Sequence, residues 1–448
     1  MRLILLITSP WIVLLLGCPG AANVQCAEDG NCNRFAGGLC RVAPSGQQWC
    51  SYPDPACPSG YRYSDLDVGD GLEDRCVMES DAGEPDAAPV MPIVESGQPA
   101  DLVLGQETFT AMDENHGGRS ARSLSAPAGV VVDDTGRLWV LDVGNDRALM
   151  WSAAPQVSFA GAALVVGSPD FTSTGGPCLV STSFCAFPVQ IGAKGGKLVI
   201  PADGHRVLIW NPVPVTNGAP ASTVLGQLRF DDSAPGDGAA DLNVPLGAWT
   251  DGRLLAVADT GNNRVLIWTT FPTTNKQPAD IVLGQPGFGS SDAPRPPTGG
   301  TMRGPTDVYS DGERFFVADS GNSRVLVWRV IPTRNGQPAD FAIGQPNLTS
   351  NEVGQGASQL RGASGVTTVG DHLFVSDPGN HRILVFSPLP NASGAPAYAV
   401  LGQPSFETSG AGTTRATLRS PGALAADGNK LYVTDGLNNR VLRFGLRL

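Results

Sequence analysis

The residues able to do chemistry fall into three sets: nine cysteines, four histidines, and an Asp/Arg pair that recurs along the chain. The recurring set is Asp142 with Arg147, Asp203 with Arg206, Asp259 with Arg264, Asp319 with Arg324, Asp377 with Arg382 and Asp435 with Arg440. A residue needed once per repeat holds the repeat together, whereas catalytic residues would be singular. These pairs are therefore read as structural: Asp ends one strand, Arg opens the next, and charge-assisted hydrogen bonds bridge the turn. Gly and Asn between them are expected to supply the positive φ that a tight turn needs. The singular residues are sparse. His116, His205, His372 and His381 are scattered, with His205 and His381 on repeats that would face each other across a ring, too far apart for one metal. No Gly-x-Ser-x-Gly, His-Glu-x-x-His or phosphate-binding loop occurs. Lys194-Gly195-Gly196-Lys197 reads as a hairpin turn. No catalytic residue and no metal ligand is assigned, and no cofactor is expected.

The arginines of the set are spaced by 59, 58, 60, 58 and 58 residues. Such a period marks a repeat architecture. Each repeat carries an apolar run ending in Gly-Gln (Leu102 to Gln106 is the first), or Gly-Ser at Gly167, with Phe109, Phe171, Phe230, Phe288, Leu348 or Phe406 following. A strand after a Pro, an Asp-Gly or Gly-Gly turn and two further strands complete it, the last ending in Trp151, Trp210, Trp268, Trp328, Phe386 or Phe444. These tryptophans read as packing residues. Four short strands per repeat, six times, predict an all-β chain: a six-bladed β-propeller. Lettering the strands a to d outward, the chain brings in a d strand before any a strand, so the first strand is expected to complete the last blade and close the ring. Gly 56 and Pro 37 among 448 residues fit this turn-rich reading.

The Asp-x-Gly-Asn-x-Arg segments resemble NHL-repeat propellers over about residues 90–448. Repeat two is shorter at Asp203-Gly204-His205-Arg206, and repeat six moves its Gly to position 436. Some NHL-type enzymes, the peptide-amidating lyases, hold zinc on clustered channel histidines, and no such cluster is present in this sequence. Among the expected a strands (Gly129–Val132, Val189–Ile191, Leu246–Trp249, Thr306–Tyr309, Gly365–Thr367 and Ala423–Ala425) only Asp307 is charged, too little for a metal site.

Before the repeats, Leu3 to Leu16 is an uncharged apolar run too short for a stable span, read as an export signal over residues 1–17. Its end, Leu15-Leu16-Gly17-Cys18, resembles the lipobox of bacterial lipoproteins. The resemblance implies that Cys18 becomes the lipidated mature N-terminus, opening an anchor segment 18–25, and that the protein sits at the bacterial outer membrane, at its periplasmic face or the cell surface. Setting Cys18 aside leaves an even number: Cys26, Cys32, Cys40, Cys50, Cys57, Cys76, Cys178 and Cys185. Export permits disulfides. Residues 26–76 form a disulfide-rich module whose three bridges could pair in any of 15 ways, and Cys178 with Cys185 closes a short loop. Zinc is disfavoured, since the cluster has no Cys-x-x-Cys and no His. Acidic residues from Asp65 to Asp74 read as a solvated turn rather than a calcium loop. Residues 77–89, rich in Pro, Ala and acidic side chains, read as an extended linker.

Net charge is −12 with no basic patch, which argues against nucleic acid. The expected function is a lipid-anchored, non-catalytic envelope propeller. It would bind a protein, peptide or glycan through the loop-rich face, where the d–a connections 107–126, 169–187, 228–244, 286–304, 346–362 and 404–420 gather. The alternative is a metal-dependent propeller enzyme of the lactonase or lyase kind.

Overall fold

A computed structural model describes residues 26, 32, 37–42, 47–57, 60–64, 75–77, 93–174, 176–185 and 188–447. Cys18, the acidic turn and all of the linker except Val77 lie outside the described residues. The chain divides into two units, residues 1–91 and 92–448. Among the described residues no helix is long and apolar enough to cross a membrane.

In the first unit, β1 (Leu39–Val42), β2 (Gln48–Pro53) and β3 (Tyr61–Tyr63) form a three-stranded antiparallel sheet in the order β1-β2-β3. Bridges join Cys26 to Cys40, Cys32 to Cys50 and Cys57 to Cys76, which resolves the pairing that spacing left open. Trp49, Tyr52, Tyr63 and Val77 pack against the buried sulfurs. So small an apolar cluster depends on its crosslinks.

The second unit begins with β4 (Leu102–Leu104). A four-stranded antiparallel sheet follows: β5 (Pro127–Val132), β6 (Leu138–Asp142), β7 (Arg147–Trp151) and β8 (Leu164–Val166). The next comprises β9 (Gly192–Lys194), β10 (Lys197–Ala202), β11 (Arg206–Trp210) and β12 (Thr223–Leu225). Then come β13 (Pro245–Thr250), β14 (Leu255–Asp259), β15 (Arg264–Trp268) and β16 (Ile281–Leu283). The fourth holds β17 (Pro305–Ser310), β18 (Phe315–Asp319), β19 (Arg324–Trp328) and β20 (Phe341–Ile343). The fifth holds β21 (Val366–Val369), β22 (His372–Asp377), β23 (Arg382–Phe386) and β24 (Ala399–Leu401). The last is β25 (Pro421–Asp427), β26 (Lys430–Asp435) and β27 (Arg440–Gly445), completed by β4.

The antiparallel sheets described thus number seven rather than six, because the cysteine-rich unit adds its own three-stranded sheet to the six of four strands. Val441, Leu442 and Arg443 pair with Leu104, Val103 and Leu102. The a strands β5, β9, β13, β17, β21 and β25 each pack on the next sheet, and β25 packs on β5. Apolar layers between adjacent sheets form the core, such as Trp139, Leu141 and Leu164 against Leu198, Leu208 and Trp210. Burial on both faces explains why the b and c strands are continuous apolar runs rather than alternating ones.

Two a strands differ from the sequence reading. In the second sheet the strand is Gly192–Lys194, after the expected Val189–Ile191, and in the fifth it is Val366–Val369. Neither begins at a Pro, unlike the other four: Pro188 stands four residues ahead of Gly192, and no Pro stands directly before Val366. Tryptophans at the ends of c strands behave as expected: the indole N–H of Trp151, Trp210, Trp268 and Trp328 donates to the carbonyl of Ala160, Ala219, Gln277 and Gln337, pinning each c–d connection.

Candidate functional site

The Asp/Arg pairs are built into the turns between b and c strands. Asp259 Oδ2 accepts from Arg264 Nε at 2.7 Å and from Asn262 Nδ2 at 2.8 Å, and its Oδ1 accepts from the Asn243 backbone N–H at 2.6 Å. The same arrangement recurs at Asp142, Asp319, Asp377 and Asp435, and all five pairs are fully buried. Burial is the largest influence on four of these carboxyls. It pushes Asp142, Asp259 and Asp435 above their ordinary value, and Asp319 up to about 6, against the pull of the paired arginine.

The second repeat departs from this pattern. There Ala202, not an Asp, stands opposite Arg206 in the ladder, because the turn is shorter. Asp203 falls just past the strand end, exposed, and its Oδ1 accepts from the Gly204 N–H. Arg206 instead donates Nε to the Asp203 carbonyl at 3.0 Å, and its other nitrogens to the carbonyls of Phe230 and Cys178. The expected Asp203–Arg206 ion pair is therefore absent, and the Cys178–Cys185 bridge sits in the loop that docks on this arginine.

Except for Gly204, whose φ is positive as expected, the glycines of these turns act differently from the expectation. Positive φ falls on the residue before each Arg: Asp146, His205, Asn263, Ser323, His381 and Asn439. In repeats one, three, four and five the residue two places earlier is a Gly needed for close approach. A Cβ on Gly261, Gly321 or Gly379 would lie 2.4–2.6 Å from the carbonyl oxygen of Asn243, Arg303 or Arg361.

Each Arg also reaches beyond its turn. Arg324 donates to the carbonyls of Thr298 and Thr301 in the preceding d–a connection and of Leu348 in the following one. Arg147, Arg382 and Arg440 do the same, and the last donates to the Phe109 carbonyl. The recurring aromatic or Leu after Gly-Gln thus marks a carbonyl that caps the guanidinium. The Gln is equally structural: Gln285 Nε2 donates to the Asn263 and Asp292 carbonyls.

The histidines are not gathered. His205 and His381 occupy left-handed turn positions, and their Nδ1 atoms accept the backbone N–H of Val244 and Ser420 in the next sheet, at 3.1 and 3.0 Å. That contact places the ring proton on Nε2. Asn263 and Asn439 do the same through Oδ1, toward Gly304 and Ala126. His381→Asn is therefore expected to leave the urea midpoint almost unchanged, while His381→Ala should cost about 1–2 kcal/mol by removing the acceptor and the residue's tolerance of this backbone. His372 Nδ1 pairs with Ser387 Oγ at 2.9 Å, and His116 lies beside Asp113 and Glu107.

What remains singular collects at the other end, where the a–b turns lie. A cavity of about 240 Å³ runs between the a strands and opens at these turns. Gln190 and Asp307 stand at its inner end. Gln190 Oε1 accepts from Val130 and Ile191, and its Nε2 donates to the Leu424 carbonyl at 3.1 Å. Asp307 is 1% exposed. Its Oδ1 accepts from the Val308 N–H at 2.7 Å and its Oδ2 from the Val366 N–H at 3.0 Å. Among the described residues no basic side chain pairs with it, and burial pushes its carboxyl up to about 7 despite those two donors. Trp249 and Tyr309, both half-buried, form part of the wall, and the Tyr309 hydroxyl meets Thr368 Oγ1 at 3.0 Å. Composition of the a strands pointed to Asp307. It did not show that a cavity surrounds it.

No family model matches the sequence, and no curated protein does. Among solved structures, a protein of unknown function from Bacteroides thetaiotaomicron is similar at 12% identity, over 91% of this chain and 88% of that one, with a TM-score of 0.46. The PQQ-bound aldose sugar dehydrogenase from Streptomyces coelicolor is 17% identical over 78% of this chain and all (100%) of its own, TM-score 0.44. Virginiamycin B lyase from Staphylococcus aureus is 12% identical over 74% and 87%, TM-score 0.37. At these scores nothing about this chain is rested on them.

Proposed function

We propose that the chain is a non-catalytic, lipid-anchored propeller of the NHL-repeat type at the bacterial outer membrane, its six blades closed by β4 and its loop-rich face binding an envelope protein, peptide or glycan. The pairing of β4 with β27 supports the closed ring. The observation that carries the binding reading is the arginine clamp. In each repeat a buried guanidinium fixes the backbone of a d–a connection whose side chains differ from repeat to repeat. A rigid scaffold presenting variable residues is what a recognition surface requires. The five buried Asp/Arg pairs are consumed in structural contacts, which leaves none of them to act as a nucleophile or base.

Anchoring is tested by Cys18→Ala. Wild type should fractionate with membranes and the variant with soluble protein. Recovery of both in the soluble fraction would remove the anchor from the proposal. Binding is tested by replacing connections 286–304 and 346–362 with short Gly-Ser turns, each alone. Loss of envelope partners in pull-downs by a folded variant is the expected result. Unchanged partners would move recognition to the other end.

An enzymatic reading with a channel metal is favoured by one observation, the cavity bearing Asp307. Its donors there are one carboxylate and a Gln190 carbonyl oxygen already taken by two N–H groups. Metal analysis of the purified protein decides it: a stoichiometric ion would support this reading over the first.

A further inference from the structure

We infer that the cavity at the a–b end is a binding site for a small organic cation, an amine-bearing ligand whose ammonium is held toward Asp307 between Trp249 and Tyr309. The site lies at the opposite end from the proposed macromolecular face and does not depend on that reading.

The argument begins with an imbalance. Every buried carboxylate of the b–c turns has an arginine within 2.7–2.8 Å. Asp307 is as deeply buried and has none, only two backbone N–H donors. A carboxylate accepts about four hydrogen bonds, so roughly half its capacity is unused. Buried charges are ordinarily paired, and burial alone drives this carboxyl up to about 7. What is missing is a countercharge, and a cavity beside the group can admit one.

The position is not a general feature of the ring. Gly247 and Gly365 stand at neighbouring a strands, where a Cβ would meet the carbonyl oxygens of Thr306 and Gly422 at 2.5 and 2.6 Å. Gln190 fills the corresponding place in the second sheet and uses both ends of its amide on Val130, Ile191 and Leu424. A neutral amide therefore suffices to tie these strands together. An acid in that role brings a desolvation cost that strand-tying does not require.

The walls suit a cation with a modest apolar body. Trp249 and Tyr309 offer aromatic faces, which attract ammonium groups. Val130, Ile191 and Leu424 contribute apolar surface, and Thr367 and Thr368 add hydroxyls. At the mouth stand Asp251 and Asp311 against Lys194, with Arg314 3.8 Å from Asp311. The cavity's ≈ 240 Å³ lies below the range of about 300–1,000 Å³ for drug-sized ligands, which suits a small amine.

Three probes of one shape separate charge from fit: cyclohexylamine, cyclohexanol and cyclohexanecarboxylate, titrated into the purified full chain at neutral pH by calorimetry and ligand-observed NMR. Cyclohexylamine should bind in the millimolar range or tighter, at least tenfold more tightly than cyclohexanol, with no binding of the carboxylate. Asp307→Asn should weaken the amine at least tenfold and leave the alcohol unchanged, whereas Asp251→Asn should change it less than threefold. If Asp307→Asn fails to fold, Trp249→Leu supplies the second reading, with the amine weakened and the melting temperature retained. Equal affinity for amine and alcohol, undiminished binding to Asp307→Asn, or no binding of the amine at millimolar concentration would each overturn the assignment.

Discussion

Arg264→Ala is expected to lower the free energy of unfolding by about 3–5 kcal/mol, because it strands a buried carboxylate rather than merely deleting a contact. Asp259 would lose its Nε partner, and the carbonyls of Asp237, Gly238 and Asp241 would lose theirs, all in one step. Arg264→Lys should recover little, since a single ammonium cannot span the carboxylate and three carbonyls that a planar fork reaches. The second repeat supplies an internal control. Arg206 has no carboxylate partner and bonds only to carbonyls, so Arg206→Ala leaves no buried anion and should cost less, about 1–3 kcal/mol. Urea unfolding of the three variants checks the ranking. A loss at Arg206 equal to that at Arg264 would show that the carbonyl contacts, not the ion pair, dominate. A large loss of partner binding by Arg264→Ala at unchanged stability would instead place this arginine in the recognition surface.

The repeat itself was legible because its signal is carried by side chains in register. Asp, Arg, Gly-Gln and the terminal Trp each do one job six times or nearly so, and a constant spacing makes the job visible. What escaped has a common cause: it resides in the backbone. The carbonyls capped by each guanidinium have no residue preference, so nothing in Thr298 or Gly238 announces an acceptor. Glycine misled for the same reason. Gly261 is demanded by the Asn243 carbonyl packed against it, not by its own φ, and those two demands look identical in a sequence. Asp203 shows the limit of motif matching. The turn is one residue shorter in the ladder, and Ala202 took the place opposite Arg206, so a residue of the right type at nearly the right spacing has a different role. Cys178 with Cys185 could be paired from sequence, but the pairing within residues 26–76 could not, because the spacing of six cysteines is compatible with every connectivity. The cavity was half legible: Asp307 stood out as the one charge in the a strands, but the space around it depends on how the a strands meet.

Asp307 carries the other large expected effect, a stability that falls as pH rises. Its carboxyl has an ordinary value of 3.8 and is pushed to about 7 in the fold. Between these values the folded chain holds a proton that the unfolded chain has released. The contribution is therefore complete below about pH 4 and is lost as pH climbs through about 7. A shift of about three units corresponds to on the order of 4 kcal/mol between the two limits. Asp319, pushed to about 6, acts in the same direction, so the wild-type profile alone does not isolate one group. The difference between wild type and Asp307→Asn does. The amide keeps an acceptor for one of the two backbone N–H groups of Val308 and Val366 and gives up the other, a cost of about 1 kcal/mol that does not vary with pH. Urea unfolding at pH 5 and pH 8 should then show wild type losing more stability than Asp307→Asn by about 2–3 kcal/mol, with the variant clearly the more stable at pH 8. Parallel profiles for the two proteins would mean that Asp307 stays ionised throughout, its desolvation already offset by the two N–H donors.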